Sequence, residues 1–254
     1  MKVVILAGGF GTRLSEYTDS IPKPMVQVGG RPLIWHIMQH YAKFGHTEFV
    51  IALGYKAEVI RDYFLNFNSL NSDFTVDLAD GSIEWINSSA PNWKVTLVDT
   101  GLDSLTGTRL KKLAPHLEGN RFMLTYGDGV ANVDIEELLS FHNKHGRQVT
   151  MTAVRPSARF GELDINAGQV KSFEEKPQLH SGWINGGFFV MEPGFLNYIP
   201  DENVMLERSP FNNATADGEL MAFEHQGFWQ CMDTKRDMEG LQALWDSGIA
   251  PWTV

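Results

Sequence analysis

The chain begins with a short apolar segment that runs directly into a glycine-rich loop. The segment from Val3 to Leu6 is uninterrupted and rich in β-branched residues, which is typical of a strand buried on both faces of a parallel sheet. Gly8, Gly9 and Gly11 follow it. Because glycine has no Cβ, such a loop lets backbone N–H groups approach an anion closely. This start predicts an α/β fold with a phosphate-binding loop after its first strand.

The net charge limits the partners that such a chain can bind. Its 254 residues include 21 basic and 31 acidic side chains, which gives a formal charge of −10. We therefore expect neither a nucleic-acid partner nor attachment to an anionic membrane surface. Residues 1–31 differ, because their basic side chains outnumber their acidic ones. An anionic small-molecule ligand is expected to bind close to this segment.

The cysteine count and the hydrophobic pattern indicate the compartment. Cys231 is the only cysteine, which excludes an internal disulfide framework and fits a reducing environment. The apolar start is too short for a signal peptide, and no stretch of the sequence reaches transmembrane length. We expect a cytoplasmic protein that folds as a single domain over residues 1–254.

Apolar runs and helical patterns alternate through the first half of the chain. Strands are expected at 3–6, 49–53, 95–98 and 122–125, and helices from residue 32 and at 56–67, 108–114 and 134–145. This alternation predicts a Rossmann-like, mixed but mainly parallel sheet flanked by helices. The second half predicts a smaller β-rich part, with a hairpin around 166–168 and a strand within 183–191. The polar stretch 68–91 is interpreted as an insertion.

Two familiar phosphate-binding loops do not match the opening segment. The dinucleotide fingerprint would need glycine at position 14, where Leu14 stands. A P-loop would need Gly-Lys followed by serine or threonine, whereas this chain has Gly11-Thr12-Arg13. A plain strand-to-helix turn with Arg13 on the surface remains the alternative.

A second basic residue, Lys23, lies between Pro22 and Pro24. Each proline fixes its own φ and biases the preceding residue toward extended structure. A lysine on such a stiff segment loses little conformational freedom when it binds a ligand. The planar fork of Arg13 and the compact charge of Lys23 suit a polyphosphate whose charge rearranges during a reaction.

The combination L-A-G-G-x-G-T-R-L with P-K-P resembles the sugar-1-phosphate nucleotidylyltransferases. Similar segments cover nearly the whole chain, including 95–101, 125–130, 159–161, 174–177, 184–189, 219–224 and 228–234. They are most similar to the members that join CTP to glucose 1-phosphate and release pyrophosphate. The resemblance implies a GT-A-like nucleotidyltransferase fold that acts as a homo-oligomer. It also implies a nucleotide-binding half at roughly 1–130 and a sugar-phosphate-binding half at 131–254.

The resemblance assigns the nucleoside triphosphate to the opening loop and to two later segments. The implied nucleotide-binding residues are Leu6, Ala7, Gly8, Gly9, Phe10, Gly11, Thr12, Arg13, Lys23, Thr106, Gly107, Thr108, Arg109 and Gly127. Arg13 and Lys23 are the implied catalytic residues. The chain departs from the family pattern at Thr108, which replaces a usual glycine, at Cys231, which replaces a usual proline, and in 205–211, which lacks a usual tryptophan.

A magnesium site is implied at two acidic residues. Asp128 follows the predicted strand 122–125, so it is expected at the carboxyl edge of the sheet, where open α/β folds bind ligands. Asp233 follows about a hundred residues later. The resemblance pairs the two as ligands of Mg²⁺, which commonly takes one or two carboxylates plus phosphate oxygens and water. Without it, Asp128 could be a turn-former and Asp233 a helix N-cap.

The sugar phosphate is assigned to the second half. Its implied contacts are Gly161, Glu175, Lys176, Asn185 and Gly186. Lys176 would hold the phosphate and Glu175 the sugar hydroxyls, although solvated charges on a surface hairpin would produce the same pattern.

Two other side-chain patterns carry no predicted function, and three alternative functions remain. The histidine pairs 36/40 and 142/145 lack a third metal ligand, so they are expected on helix surfaces. Cys231 has no histidine partner in the sequence pattern and is not expected to be a nucleophile. The same chemistry with UTP or dTTP, or with another sugar 1-phosphate, is one alternative, and a catalytically silent relative that binds nucleotide sugars is another. A metal-dependent glycosyltransferase is a weaker one, because no D-x-D motif stands at Asp128.

Overall fold

The fold is described from a computed structural model, which covers residues 1–11, 20–88, 90–156, 162–166, 169–174 and 182–253. Thr12, Arg13, Gly161, Glu175 and Lys176 lie outside these residues. The α-helices are α1 Leu33–Lys43, α2 Ala57–Leu65, α3 Phe67–Asn71, α4 Thr106–Leu117, α5 Ile135–His145, α6 Ser209–Ala216 and α7 Lys235–Asp246. The strands are β1 Lys2–Leu6, β2 Gln27–Val28, β3 Arg31–Pro32, β4 Glu48–Leu53, β5 Ser72–Val76, β6 Ile83–Ser88, β7 Lys94–Asp99, β8 Phe122–Tyr126, β9 Gly129–Ala131, β10 Val149–Val154, β11 Glu162–Asn166, β12 Gln169–Glu174, β13 Ile184–Met191, β14 Leu220–His225 and β15 Trp229–Cys231.

A seven-stranded sheet forms the centre of the described part of the chain. Its strand order is β14, β10, β13, β8, β1, β4, β7. Strands β8, β1, β4 and β7 are parallel to one another, and β14 is parallel to β10. Only β13 runs antiparallel to its two neighbours in this sheet. The predicted mixed, mainly parallel sheet is confirmed.

Helices cover both faces of the sheet, and the first strand shows why its sequence is continuously apolar. Val3 and Ile5 point into one hydrophobic core together with α1. Val4 and Leu6 point into the other core together with α4. Alternate side chains of a strand point to opposite faces, so a strand covered on both faces has no position for a polar residue. None of the described helices is long and apolar enough to cross a membrane.

The stretch interpreted as an insertion contains a hairpin that the sequence analysis did not predict. Strands β5 and β6 pair only with each other among the described strands. Phe74 stands opposite Trp85, and Val76 stands opposite Ile83. All four side chains are exposed, so the hairpin carries an uncovered apolar face.

The expectation that the paired histidines lie on helix surfaces is wrong for three of them. His36, His40 and His142 are buried. The Nε2 atoms of His36 and His40 lie 2.8 and 2.9 Å from the carbonyl oxygens of Val28 and Val133. Helix α1 is buried on the face that carries both histidines, because the C-terminal Pro251–Thr253 turn packs on it as well as the sheet. Helical spacing alone could not reveal that second covering.

Candidate active site at the carboxyl edge of the sheet

A cleft of about 340 Å³ opens where strands β1 and β8 end. Both strands present their carboxyl ends there, which is where parallel α/β sheets bind ligands. The cleft is lined by Leu6, Ala7, Gly8, Gly9, Phe10, Gly11, Lys23, Pro24, Leu102, Asp103, Ser104, Leu105, Thr106, Arg109, Tyr126, Gly127, Asp128 and Met205. The cleft therefore brings the described part of the glycine loop together with Lys23, Thr106, Arg109 and Gly127. Asp128 lines the same cleft as Lys23.

The orientation of the glycine loop is fixed by a buried arginine. The carbonyl oxygen of Gly8 accepts hydrogen bonds from Arg109 NH2 at 2.9 Å and from the Tyr55 backbone N–H at 3.2 Å. Since the carbonyl and N–H of a trans peptide point in opposite directions, the Gly9 N–H is directed away from Arg109. A Cβ on Gly8 would lie 2.3 Å from the guanidinium, so a larger residue would displace Arg109 from its hydrogen bond to this carbonyl.

Arg109 lies at the cleft, yet its guanidinium is committed to the protein. Besides Gly8, it donates to the carbonyl oxygens of Leu53, Gly101 and Leu102 and to the Thr100 hydroxyl. These acceptors follow or end strands β4 and β7, so one side chain ties three neighbouring strand ends together. The structure thus gives Arg109 the geometry of a positioning residue for the loop.

Lys23 lies between two carboxylates. Pro22 is extended and Lys23 begins a short 3-10 turn, which directs its side chain into the cleft. Its Nζ donates to Asp128 Oδ2 at 2.9 Å and to Asp233 Oδ1 at 2.5 Å. Burial alone would lower the pKa of Lys23, but the charge of Asp128 and the hydrogen bonds to both carboxylates outweigh it and raise the pKa. The ammonium therefore stays charged at neutral pH.

Strand pairing brings the two carboxylates together across a hundred residues. Strands β9 and β15 pair so that Cys231 stands opposite Gly129, and the Met232 N–H donates to the Asp128 carbonyl at 2.8 Å. Asp233 is not the N-cap of α7. Thr234 holds that position in a capping box with Asp237.

The donor set at this point suits a hard divalent cation. One ligand atom from each of Asp128, Cys231 and Asp233 lies within 4.8 Å of the others. Carboxylate oxygens are preferred ligands of Mg²⁺. Burial, followed by the nearby charge of Asp128, raises the pKa of the Cys231 thiol, and a protonated thiol is a poor ligand for such an ion. The two aspartates, and not Cys231, fit a magnesium site.

A segment that the sequence analysis did not connect with the site covers the start of helix α4. We call residues 203–207 the strap. The Val204 carbonyl accepts from the Gly107 and Thr108 backbone N–H groups at 3.0 and 3.2 Å, and the Val204 N–H donates to Thr108 Oγ1 at 2.9 Å. Gly107 and Thr108 are thereby joined to the strap and are not among the residues that line the cleft.

The described sugar-phosphate candidates lie beside the cleft, not in its lining. Asn185 Nδ2 donates to the Tyr126 hydroxyl at 3.1 Å, and the Gly186 carbonyl accepts from Trp229 Nε1 at 2.7 Å. Tyr126 and Glu207, which also hydrogen-bond each other, are site residues that the sequence analysis missed. Tyr126 directly precedes the Gly127-Asp128 segment, and that position was the available signal.

Comparisons with known proteins agree with this geometry. The nucleotidyl transferase family model matches residues 2–234. The glucose-1-phosphate cytidylyltransferase of Salmonella typhimurium is 50% identical over 253 residues, covering 99% of this chain and 98% of the relative. The probable glucose-1-phosphate cytidylyltransferase of Bacillus subtilis is 40% identical and is covered over its full length.

Solved structures share the fold. The crystal structure of HddC from Yersinia pseudotuberculosis matches with a TM-score of 0.71 at 24% identity, covering 96% of this chain and 99% of that one. Because the family model spans most of the chain and curated relatives cover it almost completely, the chain belongs to the nucleotidyl transferase family.

Proposed function

We propose that the protein condenses CTP with α-D-glucose 1-phosphate to give CDP-glucose and pyrophosphate. The observation that carries the proposal is the convergence of a glycine loop, Lys23 and the Asp128–Asp233 pair at one cleft. The full-length similarity to glucose-1-phosphate cytidylyltransferases supports the choice of both substrates. We place the reaction in the cytoplasm.

The reaction needs no protein nucleophile. A phosphate oxygen of the sugar 1-phosphate attacks the α-phosphorus of the nucleotide, and pyrophosphate leaves from the opposite side. Gly8, Gly9 and Gly11 cradle the triphosphate with backbone N–H groups. Lys23 neutralises charge that develops around the α-phosphate. The protein's contribution is to align two anions that repel each other and to offset their charge.

Six residues, which lie outside the described part of the chain or beside the cleft, complete the proposal. Arg13 offsets the charge of the leaving pyrophosphate. Lys176 steers the attacking phosphate, while Glu175 and Asn185 bind sugar hydroxyls. Gly161 and Gly186 allow the sugar to approach the backbone closely.

Asp128 and Asp233 would hold Mg²⁺, which neutralises phosphate oxygens when it is bound. In the protein alone, the Lys23 ammonium neutralises the same two carboxylates. Because Lys23 contacts both metal-ligand candidates, the lysine and the cation are placed to act on the same phosphate groups.

A pyrophosphate-release assay tests the proposed function. The protein is incubated with Mg²⁺, one nucleoside triphosphate at a time, and a panel of sugar 1-phosphates. We expect the fastest release with CTP and glucose 1-phosphate. Substrate binding without release would indicate a silent relative, and consumption of a nucleotide sugar only with an added acceptor would indicate a glycosyltransferase; either result refutes the proposal.

We also propose that the protein acts as a homo-oligomer through the β5–β6 hairpin. The hairpin exposes an apolar face of Phe74, Val76, Ile83 and Trp85, and the same chain carries a groove of about 420 Å³. The groove is lined by Phe64, Leu65, Phe67, Asn68, Ala90, Pro91, Trp93, Val95 and Leu97. One chain thus offers both an apolar arm and a groove that contains aromatic and aliphatic residues, which two copies can exchange about a two-fold axis.

Light scattering coupled to size-exclusion chromatography tests this interface. We expect the wild type to be a dimer or larger and Trp85→Ser to shift it toward the monomer. Ile249→Ser, which changes an exposed apolar residue elsewhere, should leave the mass unchanged. A monomeric wild type, or equal masses for the wild type and Trp85→Ser, would exclude the hairpin interface.

A further inference from the structure

Charged and apolar groups both line the cleft. Lys23 and Asp128 line it together with the glycine loop. Four large apolar side chains also line it and remain exposed; they are Phe10, Leu102, Leu105 and Met205. A nucleotide has a charged phosphate chain and a flat base, so the base is expected against the apolar side chains.

Thr106 lines the cleft next to two of these apolar residues. It follows Leu105 and is bonded to the strap that carries Met205 into the cleft. Its hydroxyl donates to Glu207 Oε2 at 2.7 Å, and Thr106 Oγ1 itself accepts from the Leu206 N–H at 2.9 Å. A threonine hydroxyl has one proton and two acceptor sites. Because the proton is directed to Glu207 and one acceptor site is filled, the oxygen has a single acceptor site left for a ligand.

Glu207 cannot act as the donor in its hydrogen bond with Thr106. Its other oxygen, Oε1, accepts from the Tyr126 hydroxyl. The phenol has a single proton and a carboxylate oxygen only accepts, so Tyr126 is the donor in this hydrogen bond. The Tyr126 oxygen in turn accepts from Asn185 Nδ2. The hydrogen bonds from Asn185 through Tyr126 and from Thr106 therefore all run toward the Glu207 carboxylate.

We propose that Thr106, held as an acceptor by Glu207, selects cytosine over uracil and thymine. Cytosine presents an amino donor at the ring position where the other two pyrimidines present a carbonyl acceptor. A carbonyl placed against the Thr106 oxygen would meet a second acceptor, and both groups would lose their bonds to water without compensation. This inference rests on the proposed function and assigns base choice within the same cleft.

The test compares CTP with UTP in four proteins. Pyrophosphate release gives kcat/KM for each nucleotide in the wild type, Thr106→Val, Glu207→Gln and Thr108→Val. Thr106→Val removes the acceptor. Glu207→Gln introduces a donor where the carboxylate only accepted, so the Thr106 proton is no longer confined. Thr108→Val is the matched control, because its hydroxyl also accepts a strap N–H but lies outside the cleft lining.

We expect the wild type to prefer CTP and the CTP-to-UTP ratio to fall at least about tenfold in Thr106→Val and Glu207→Gln, equivalent to about 1.4 kcal/mol. Part of the change in Glu207→Gln should be faster reaction with UTP. Thr108→Val should keep the wild-type ratio, whatever its absolute rate. Melting temperatures are measured alongside to show that each variant is folded.

An unchanged ratio in Thr106→Val, or an equal fall in Thr108→Val, would overturn the assignment. A wild type that prefers UTP would overturn it while leaving nucleotidylyl transfer intact. If the wild type released no pyrophosphate with any nucleotide, the proposed function would fail separately. In that case, the CTP-to-UTP preference of the four proteins is measured from binding affinities by calorimetry. The outcomes that support or overturn the assignment stay the same.

Discussion

Two clusters of charged and polar side chains lie at opposite ends of strand β8. Beyond its carboxyl end, Lys23, Asp128 and Asp233 meet at the cleft. At its amino end, His142 Nε2 lies 3.2 Å from Glu192 Oε1, which also accepts from Arg121 Nε at 2.6 Å. The other ring nitrogen of this histidine, Nδ1, lies 2.7 Å from Thr150 Oγ1.

The two clusters differ in what they leave for a ligand. The His142 side chain is fully buried, whereas the Asp128 side chain retains 34% of its exposure. Polar groups at the amino end use their donors and acceptors on one another, which stabilises the fold. The Asp128 carboxylate faces a cleft and keeps lone pairs for a substrate or a cation. Openness to a cleft, more than charge density, distinguishes a reactive site from a structural cluster.

Replacing an aspartate should have the largest effect at the carboxyl end. We expect Asp233→Asn to lower the rate of pyrophosphate release by about a hundredfold or more, because a charged partner of the bound phosphates or their cation is lost. Its affinity for Mn²⁺, measured by electron paramagnetic resonance, should fall as well. Asp246→Asn, an exposed position at the far end of the helix that follows Asp233, is the control. Unchanged Mn²⁺ affinity and turnover in Asp233→Asn would place the site elsewhere.

The amino-end cluster should respond in the opposite way. We expect His142→Ala to lower the free energy of unfolding by about 2 kcal/mol, because Glu192 and Thr150 each lose a buried partner. Urea denaturation measures this loss. The value of kcat/KM should stay within about twofold of wild type, as expected for a change outside the site. Lost activity with unchanged stability would show that the amino-end cluster is not a structural one.

A buried histidine in helix α1 gives a smaller, pH-dependent effect of the same structural kind. Burial lowers the pKa of His40 to about 4, with smaller contributions from Lys43 and His225. The unfolded chain binds this proton near pH 6.5, so stability falls as the pH is lowered from 6.5 toward 4.

For His40 alone, the expected loss of unfolding free energy between pH 7 and pH 5 is about 2 kcal/mol. His40→Gln, which can still donate to the Val133 carbonyl, should flatten this dependence in urea titrations at the two pH values. An equally steep dependence in the variant would show that other groups cause it.

The sequence predicted the features that depend on neighbours in the chain. The buried first strand, the glycine loop and the rigid Lys23 segment follow from local patterns, because strand burial and proline geometry are local. The approach of Asp233 to Asp128 depends on the pairing of β9 with β15, which no local pattern indicates. Only the family resemblance related these two residues.

Features that depend on packing were not predicted from the sequence. The apolar alternation of Phe74 and Val76 with Ile83 and Trp85 is short, interrupted and surrounded by polar residues, so the sequence indicated an insertion at 68–91 but no hairpin within it. The burial of His36 and His40 depends on the turn at 251–253, which covers a second side of α1. Glu207 became a site candidate only when the strap placed its carboxylate between Tyr126 and Thr106.

We infer that the charged groups that face the cleft at the carboxyl edge of the sheet perform the chemistry. Pyrophosphate release from CTP and glucose 1-phosphate by Lys23→Ala, beside wild type and with the fold checked by circular dichroism, tests it most directly. We predict a folded protein whose turnover is lower by about a hundredfold or more, since a positioned cation is lost from the transition state. A folded Lys23→Ala protein with wild-type turnover would contradict the claim.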